Sequence, residues 1–287
     1  MDGRTKFVVA WMAILYLCSW LFSLSRLFGI HFWDREYALE YNAEHYVSIN
    51  LYNSTAFGKI NATYFSPSRY CYLLPHVLGA IFWWNLYFLQ LIPQVRYAFD
   101  KKLHRILGRC LMICAFAQTA SGVGLALTSH SNIILLVSLW LAGATFYCIY
   151  YAWKNAIYRD IPKHKYWVLR LVGYMQTIAF QRFWLVALIS SHQMGWYRLY
   201  PELIEGESSV EEANQVVLEM FDDSFVLAIL TAFLGTEWYL AGMQGMTDAP
   251  EPSYSSRGTS TNNHGTSFLN SDKKEILPHE DVPLMAK

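Results

Sequence analysis

The chain has 287 residues, 54% hydrophobic, 17% aromatic and only 15% charged, with a formal net charge of zero. A soluble domain carries about 25% charged residues, so too few charges are present to cover a soluble surface. The balanced charge argues against nucleic acid or a wholly acidic partner and leaves the lipid bilayer as the partner this composition demands.

The apolar residues fall in blocks. A transmembrane helix needs about 20 mostly apolar residues, and six blocks have that length: 7–25, 71–93, 106–128, 132–153, 166–192 and 222–243. The predicted fold is all-α, a polytopic bundle of six transmembrane helices over residues 1–247. The first block follows a basic start, MDGRTK. It is longer than the ~7–15 residues of a signal-peptide core, and no A-x-A-like cleavage site follows, so it reads as a retained span. The loop after it holds the only two N-x-[ST] sequons, at Asn53 and Asn61, which makes both candidate glycosylation sites in a eukaryotic plasma-membrane or endomembrane protein.

In the second block His76 follows Pro75, and proline is tolerated in a helix's first turn; His76 is therefore expected to open the second helix. A stripe of Gly79, Trp83 and Gln90 runs from it, and Asn85 adds a further polar group. The third block begins in LHRILGRC, residues 103–110. Its His104, Gly108, Leu111, Ala115, Gln118 and Gly122 recur at steps of three or four and share one face. Small residues on that face let another backbone come close, which sets Gln118 against protein. The fourth block, NIILLVSLWLAGATFYCIYYAW, is among the cleanest spans.

The fifth block opens on KHKYWVLR, residues 163–170, and carries Gln176, Gln181 and Arg182. In an uninterrupted helix His164 and Arg182 point the same way, about 27 Å apart along the axis. A charge deep in a span costs roughly 2.5–3.5 kcal/mol even on lenient scales, so Arg182 is expected to face protein with a partner. In the sixth block Asp222 and Asp223 lie at the level of Arg182, while Glu237 lies four turns deeper, level with Arg109 and Arg170. Two polar layers follow: His76, Arg182, Asp222 and Asp223 outside, and His104, Arg109, His164, Arg170 and Glu237 inside. The plainer account is that these charges are ion pairs locking a bundle.

Lys and Arg in short loops set orientation. Arg96, Lys101, Lys102 and Arg105 follow the second span, and Lys154, Arg159, Lys163 and Lys165 follow the fourth. The loop at 193–221 is rich in glutamate instead, so both termini are expected in the cytoplasm and the sequons outside. Residues 248–287 are rich in Ser, Thr, Pro and Gly, and are expected to form a disordered cytoplasmic tail able to engage partner proteins. The five cysteines, Cys18, Cys71, Cys110, Cys114 and Cys148, form no CxxC or Cys/His cluster and read as buried free thiols.

The stretch PHVLGAIFWWNLYFLQLIPQVRYAFDKKLHRILGRC, with SGVGLAL and KHKYWVLR after it, resembles a family of predicted multi-pass membrane proteins called domain of unknown function 2306. The shared elements are His76, Arg96, H-R-x-x-G-R at His104–Arg109, H-[RK]-x-W-x-x-R at His164–Arg170, and Arg182, over roughly 75–190. Val168 stands where that family often has Met. The resemblance implies the architecture and carries no activity. A further likeness, to the six-helix cytochrome b561 plan, rests on histidines of the third and fifth helices. It implies haem b held by His104 and His164, with His76 a third candidate ligand and Arg109 and Arg170 receiving the propionates. Its departure is that both histidines lie at the extreme helix ends.

The remaining readings are an ion-coupled small-solute transporter using Arg182 and Glu237, weakened by the lack of a mid-span Gly or Pro break, and a membrane scaffold. Enzyme chemistry is left open: HExxH, paired aspartates and GxSxG are all missing.

Overall fold

The computed structural model describes residues 3–24, 36, 65–92, 101–129, 131–196, 200 and 209–247. Seven helices carry nearly all of them: α1 (Gly3–Leu24), α2 (Pro67–Leu91), α3 (Lys101–Leu127), α4 (Asn132–Ile157), α5 (Ile161–Met175), α6 (Thr177–Gln193) and α7 (Val210–Thr247). They belong to one unit, 1–247, and residues 248–287 form another. That second unit, with the tail expected there, and both sequons lie outside the described residues. Among the described helices α2, α3 and α4 are long and apolar enough to cross a membrane, with mean hydropathy of 1.2, 1.7 and 2.0.

Local chemistry explains where the helices begin. Ser66 and Pro67 start α2 earlier than expected: the Ser66 carbonyl accepts from the Arg69 and Tyr70 amides at 3.0 and 2.9 Å. Proline suits the first turn because its missing N–H has no partner there. Pro75 therefore lies inside the helix, and His76 sits over two turns in rather than at its opening. At the start of α4 the Ser131 hydroxyl accepts from the Ile133 and Ile134 amides. Between α4 and α5 the chain turns at Arg159, whose φ of 58° is left-handed. The Asp160 amide there bonds back to the Asn155 carbonyl at 3.0 Å, closing α4 as left-handed caps do.

The fifth block is not one helix. The Gln176 amide bonds to the Gly173 carbonyl at 3.1 Å, a tightened i−3 bond, and the Thr177 hydroxyl donates to the Tyr174 carbonyl at 2.7 Å. A hydroxyl bonding into the ladder bends a helix. The interruption resets the helical phase. Gln181 turns inward, fully buried, while Arg182 lies on the exposed side, which corrects the expectation of an interior Arg182. The sixth block is also longer than its apolar part. α7 has 38 residues, about 57 Å at 1.5 Å per residue, so 210–221 are helical rather than loop.

Around the unit α2 packs on α3, α3 on α4, α4 on α5, and both α5 and α6 on α7; α1 packs against α2, α6 and α7. A close backbone approach joins α2 and α3, where a Cβ on Gly79 would lie 2.8 Å from the Cys114 carbonyl oxygen. The small-residue stripes thus meet, with Trp83, Leu111 and Ala115 buried between them. A second core joins Leu185, Leu188, Val216, Val217 and Met220. Cys148 is buried, whereas Cys71 and Cys110 are exposed. Those two face outward from α2 and α3, which corrects the expectation that the thiols are buried.

Candidate functional site

On the α2–α3 seam His76 Nδ1 lies 2.9 Å from the Gln118 carbonyl oxygen. A carbonyl only accepts, so the hydrogen is on Nδ1. A Cβ on Gly122 would stand 3.3 Å from the ring, so the imidazole fills the notch glycine leaves. Gln118 is buried, and its Oε1 has no hydrogen-bond partner among the described residues. Arg182 is near enough for its charge to act on His76. Asp222 accepts from the Ser131 hydroxyl and Asp223 from the Tyr200 hydroxyl. Gln181 Nε2 donates to Ser224 Oγ at 2.8 Å across the α6–α7 contact. Sequence reasoning missed Arg69: its Nη2 donates to the Leu125 carbonyl at 3.0 Å and its Nε to Thr128 Oγ1 at 2.8 Å. It thereby adds a charged donor to a carbonyl at the end of α3 that also accepts from Thr128.

On the other layer His164 Nδ1 donates to the Ala152 carbonyl at 2.8 Å, tying α5 to α4. His104 is half-buried near the start of α3, and Arg109 is exposed. Haem in a helical bundle is held by imidazoles from facing helices. Here α3 packs chiefly on α2 and α4, and α5 on α4 and α7, while Leu111 and Ala115 of α3 share a buried core with Leu171 and Val172 of α5. No group of three or more His, Cys, Asp or Glu side chains gathers in metal-ligating fashion among the described residues.

The structure does bring Arg170 and Glu237 together. Arg170 Nη2 donates to Glu237 Oε2, and the Tyr174 hydroxyl donates to Glu237 Oε1 at 2.6 Å. Arg170 and Tyr174 stand four apart on α5 and so share a face, and α7 carries Glu237 to meet them. The meeting is close because Gly173 leaves room for the Thr236 side chain. The guanidinium also lies over the Tyr166 and Trp167 rings, 4.9 Å from each centroid. Arg170 Nε is buried without an acceptor among the described residues.

Arg170 lines a cavity of about 560 Å³ bounded by α4 and α5, with Trp140, Gly143, Tyr147, Trp167 and Tyr174 among its walls. Tyr174 stacks on Phe233 of α7 at 3.7 Å between centroids, and Trp140 approaches the same ring at 3.9 Å. One glutamate-neutralised arginine thus sits in an aromatic hollow. The arrangement sets a hydrogen-bonded charged pair beside a hollow edged by aromatic rings. The i, i+4 spacing of Arg170 and Tyr174 was available as a signal; the hollow itself arises only from packing. Compared with protein-family models, curated proteins and solved structures, the chain matches none.

Proposed function

We propose that this chain is an integral membrane protein of six spans that binds a small molecule within the bilayer, at the cavity beside Arg170 and Glu237. The three clear spans, α2, α3 and α4, are completed by α1, by α5 with α6, and by α7. The distribution of Lys and Arg supports cytoplasmic termini. One observation carries the reading: a charged pair within the helices, bonded by Tyr174 and bordering a cavity. Ionisable groups within spans face interiors or cavities and mark functional paths. A pair kept for stability alone gains little, since apolar residues of similar volume serve as well or better. Pockets of roughly 300–1,000 Å³ with apolar walls and a few polar groups are typical small-molecule sites.

The test is organic extraction and mass spectrometry of protein purified in nanodiscs. Wild type is expected to carry a small molecule that Gly143→Phe, which fills the cavity, loses. A Cβ at Gly143 meets nothing within 4 Å, so the backbone there has room for a side chain. Identical extracts from the two proteins would overturn the proposal.

An ion-coupled carrier is the second reading, favoured by the interruption at Gln176. Discontinuous helices at mid-membrane form transporter sites, and this one follows Arg170 by under two turns. Gln176 is buried there with its Oε1 unpartnered among the described residues.

A further inference from the structure

We infer that the bundle holds a buried water site between α2, α3 and the α5–α6 interruption, formed by Trp83 Nε1, Gln118 Oε1 and Gln176 Oε1. The site is separate from the Arg170 cavity and does not depend on a ligand there.

The three atoms share one condition. Each is buried with no hydrogen-bond partner among the described residues, and the side chains of Trp83, Gln118 and Gln176 are only 2%, 4% and 1% exposed. A buried polar atom left unpaired is unfavourable, so each needs a partner that the neighbouring side chains do not supply.

Packing brings them to one level of the bundle. α2 and α3 run antiparallel: His76 meets Gln118 and Gly122, while Gly79 meets Cys114 and Gln118. A Cβ on Gly79 would stand 3.0 Å from the Gln118 Cβ, and Trp83 lies one turn further along the same face of α2. Helical side chains lean towards the N-terminus of their own helix. Trp83 therefore leans back towards Gly79, and Gln118 leans towards Ala115, which shares a buried core with Trp83. The two converge. Tyr87 brings in the third: its ring stacks on that of Trp83 at 5.9 Å between centroids, and its hydroxyl accepts from Gln176 Nε2 at 3.4 Å.

Chemistry selects the ligand. The site offers one indole N–H donor and two amide oxygens, all uncharged. A cation is repelled by the indole hydrogen, and an anion by the two carbonyl oxygens. The occupant must accept one hydrogen bond and donate two, which water does. Buried waters make about three hydrogen bonds to groups otherwise unsatisfied. Enclosure excludes anything larger, since Ala115 and Leu171 of the same core are 0% exposed. Gln176 both ends α5 and begins α6, so the water ties the break in the fifth span to α3 as well as to α2.

The experiment is solid-state NMR of the full-length protein in lipid bilayers, with ¹⁵N-labelled tryptophan and magnetisation transferred from water. The Trp83 indole signal is the one missing from Trp83→Phe. Wild type is expected to show transfer from water to that indole at short mixing times. Replacing both acceptors, in Gln118→Leu with Gln176→Leu, is expected to slow the transfer at least several-fold. Each substitution is also read alone, so that one folded variant suffices. No transfer to Trp83 in wild type overturns the proposal, as does an unchanged rate in the variants. An indole signal that moves when sodium and potassium are exchanged for choline would place an ion there and overturn the assignment to water.

Discussion

Asp160 holds the turn between α4 and α5 with both carboxylate oxygens. Oδ1 accepts the Lys163 amide at 3.2 Å, and Oδ2 pairs with Lys163 Nζ at 2.9 Å. The Lys163 side chain is the first cause, and its amide the second, of a carboxyl held below the ordinary 3.8. A carboxyl depressed in the folded state adds stability above its unfolded pKa, and that stability is lost as pH falls through the folded value. The melting temperature should therefore drop on acidification, below about pH 4, more steeply in wild type than in Asp160→Asn. Asparagine keeps the cap but has no proton to take up. Parallel acid limbs in the two proteins would show that the carboxylate contributes nothing beyond the cap. At this scale the sequence was partly legible. KHKYWVLR marked Arg170, and depth alone matched it with Glu237. Tyr174, Ser131 and Tyr200 were not seen, because a hydroxyl in an apolar run gives no sign of its partner until helices meet.

Helices meet where side chains allow it, and at Gly79 the nearest atom of the neighbouring helix is backbone. Alanine there sets a methyl 2.8 Å from the Cys114 carbonyl and 3.0 Å from the Gln118 Cβ. Backbone cannot yield as a flexible side chain does, so α2 and α3 must separate. Overpacking of this kind costs about 1–3 kcal/mol, and Gly79→Ala should lower the melting temperature by several degrees. Gly235→Ala, whose Cβ meets nothing within 4 Å, should be neutral or slightly stabilising through helix propensity. Equal effects at both sites would mean that α2 and α3 are not in contact at Gly79. The stripe on α3 was readable because a period of three or four survives any detail of packing. The interruption of the fifth span was not, since a threonine hydroxyl capturing a carbonyl leaves no periodic trace. The start of α7 was readable and overlooked. Ser209 and Glu212 form a capping box, the Ser209 amide donating to Glu212 Oε2 at 2.8 Å and the Glu212 amide to Ser209 Oγ at 3.3 Å. That S-x-x-E spacing stands in a stretch whose acidity made it look like loop.

For the whole molecule, orientation decides whether the charges make sense together. Lys102 and Arg105 stand at the start of α3, and Lys154, Arg159, Lys163 and Lys165 border the α4–α5 turn. These positions share one end of the antiparallel helices. Glu211, Glu212 and Glu219 lie on the first third of α7, towards the other end. Lys and Arg favour the cytoplasmic side, so the six-span proposal places the α4–α5 turn inside and the start of α7 outside. At about 57 Å against a hydrocarbon core of about 30 Å, α7 must project from the bilayer, and its acidic first turns are the part able to do so. In sealed right-side-out vesicles, a tag after Lys287 should resist added protease, while cysteines introduced at Glu211 and Lys163 should react with an impermeant maleimide only at Glu211. Glycosidase should increase the mobility of wild type, and loss of both Asn53 and Asn61 should remove that shift. Labelling at Lys163 rather than Glu211 would invert every span at once. The Arg170 cavity would then lie nearer the outer leaflet, and the basic turn would contradict the charge rule that set the orientation.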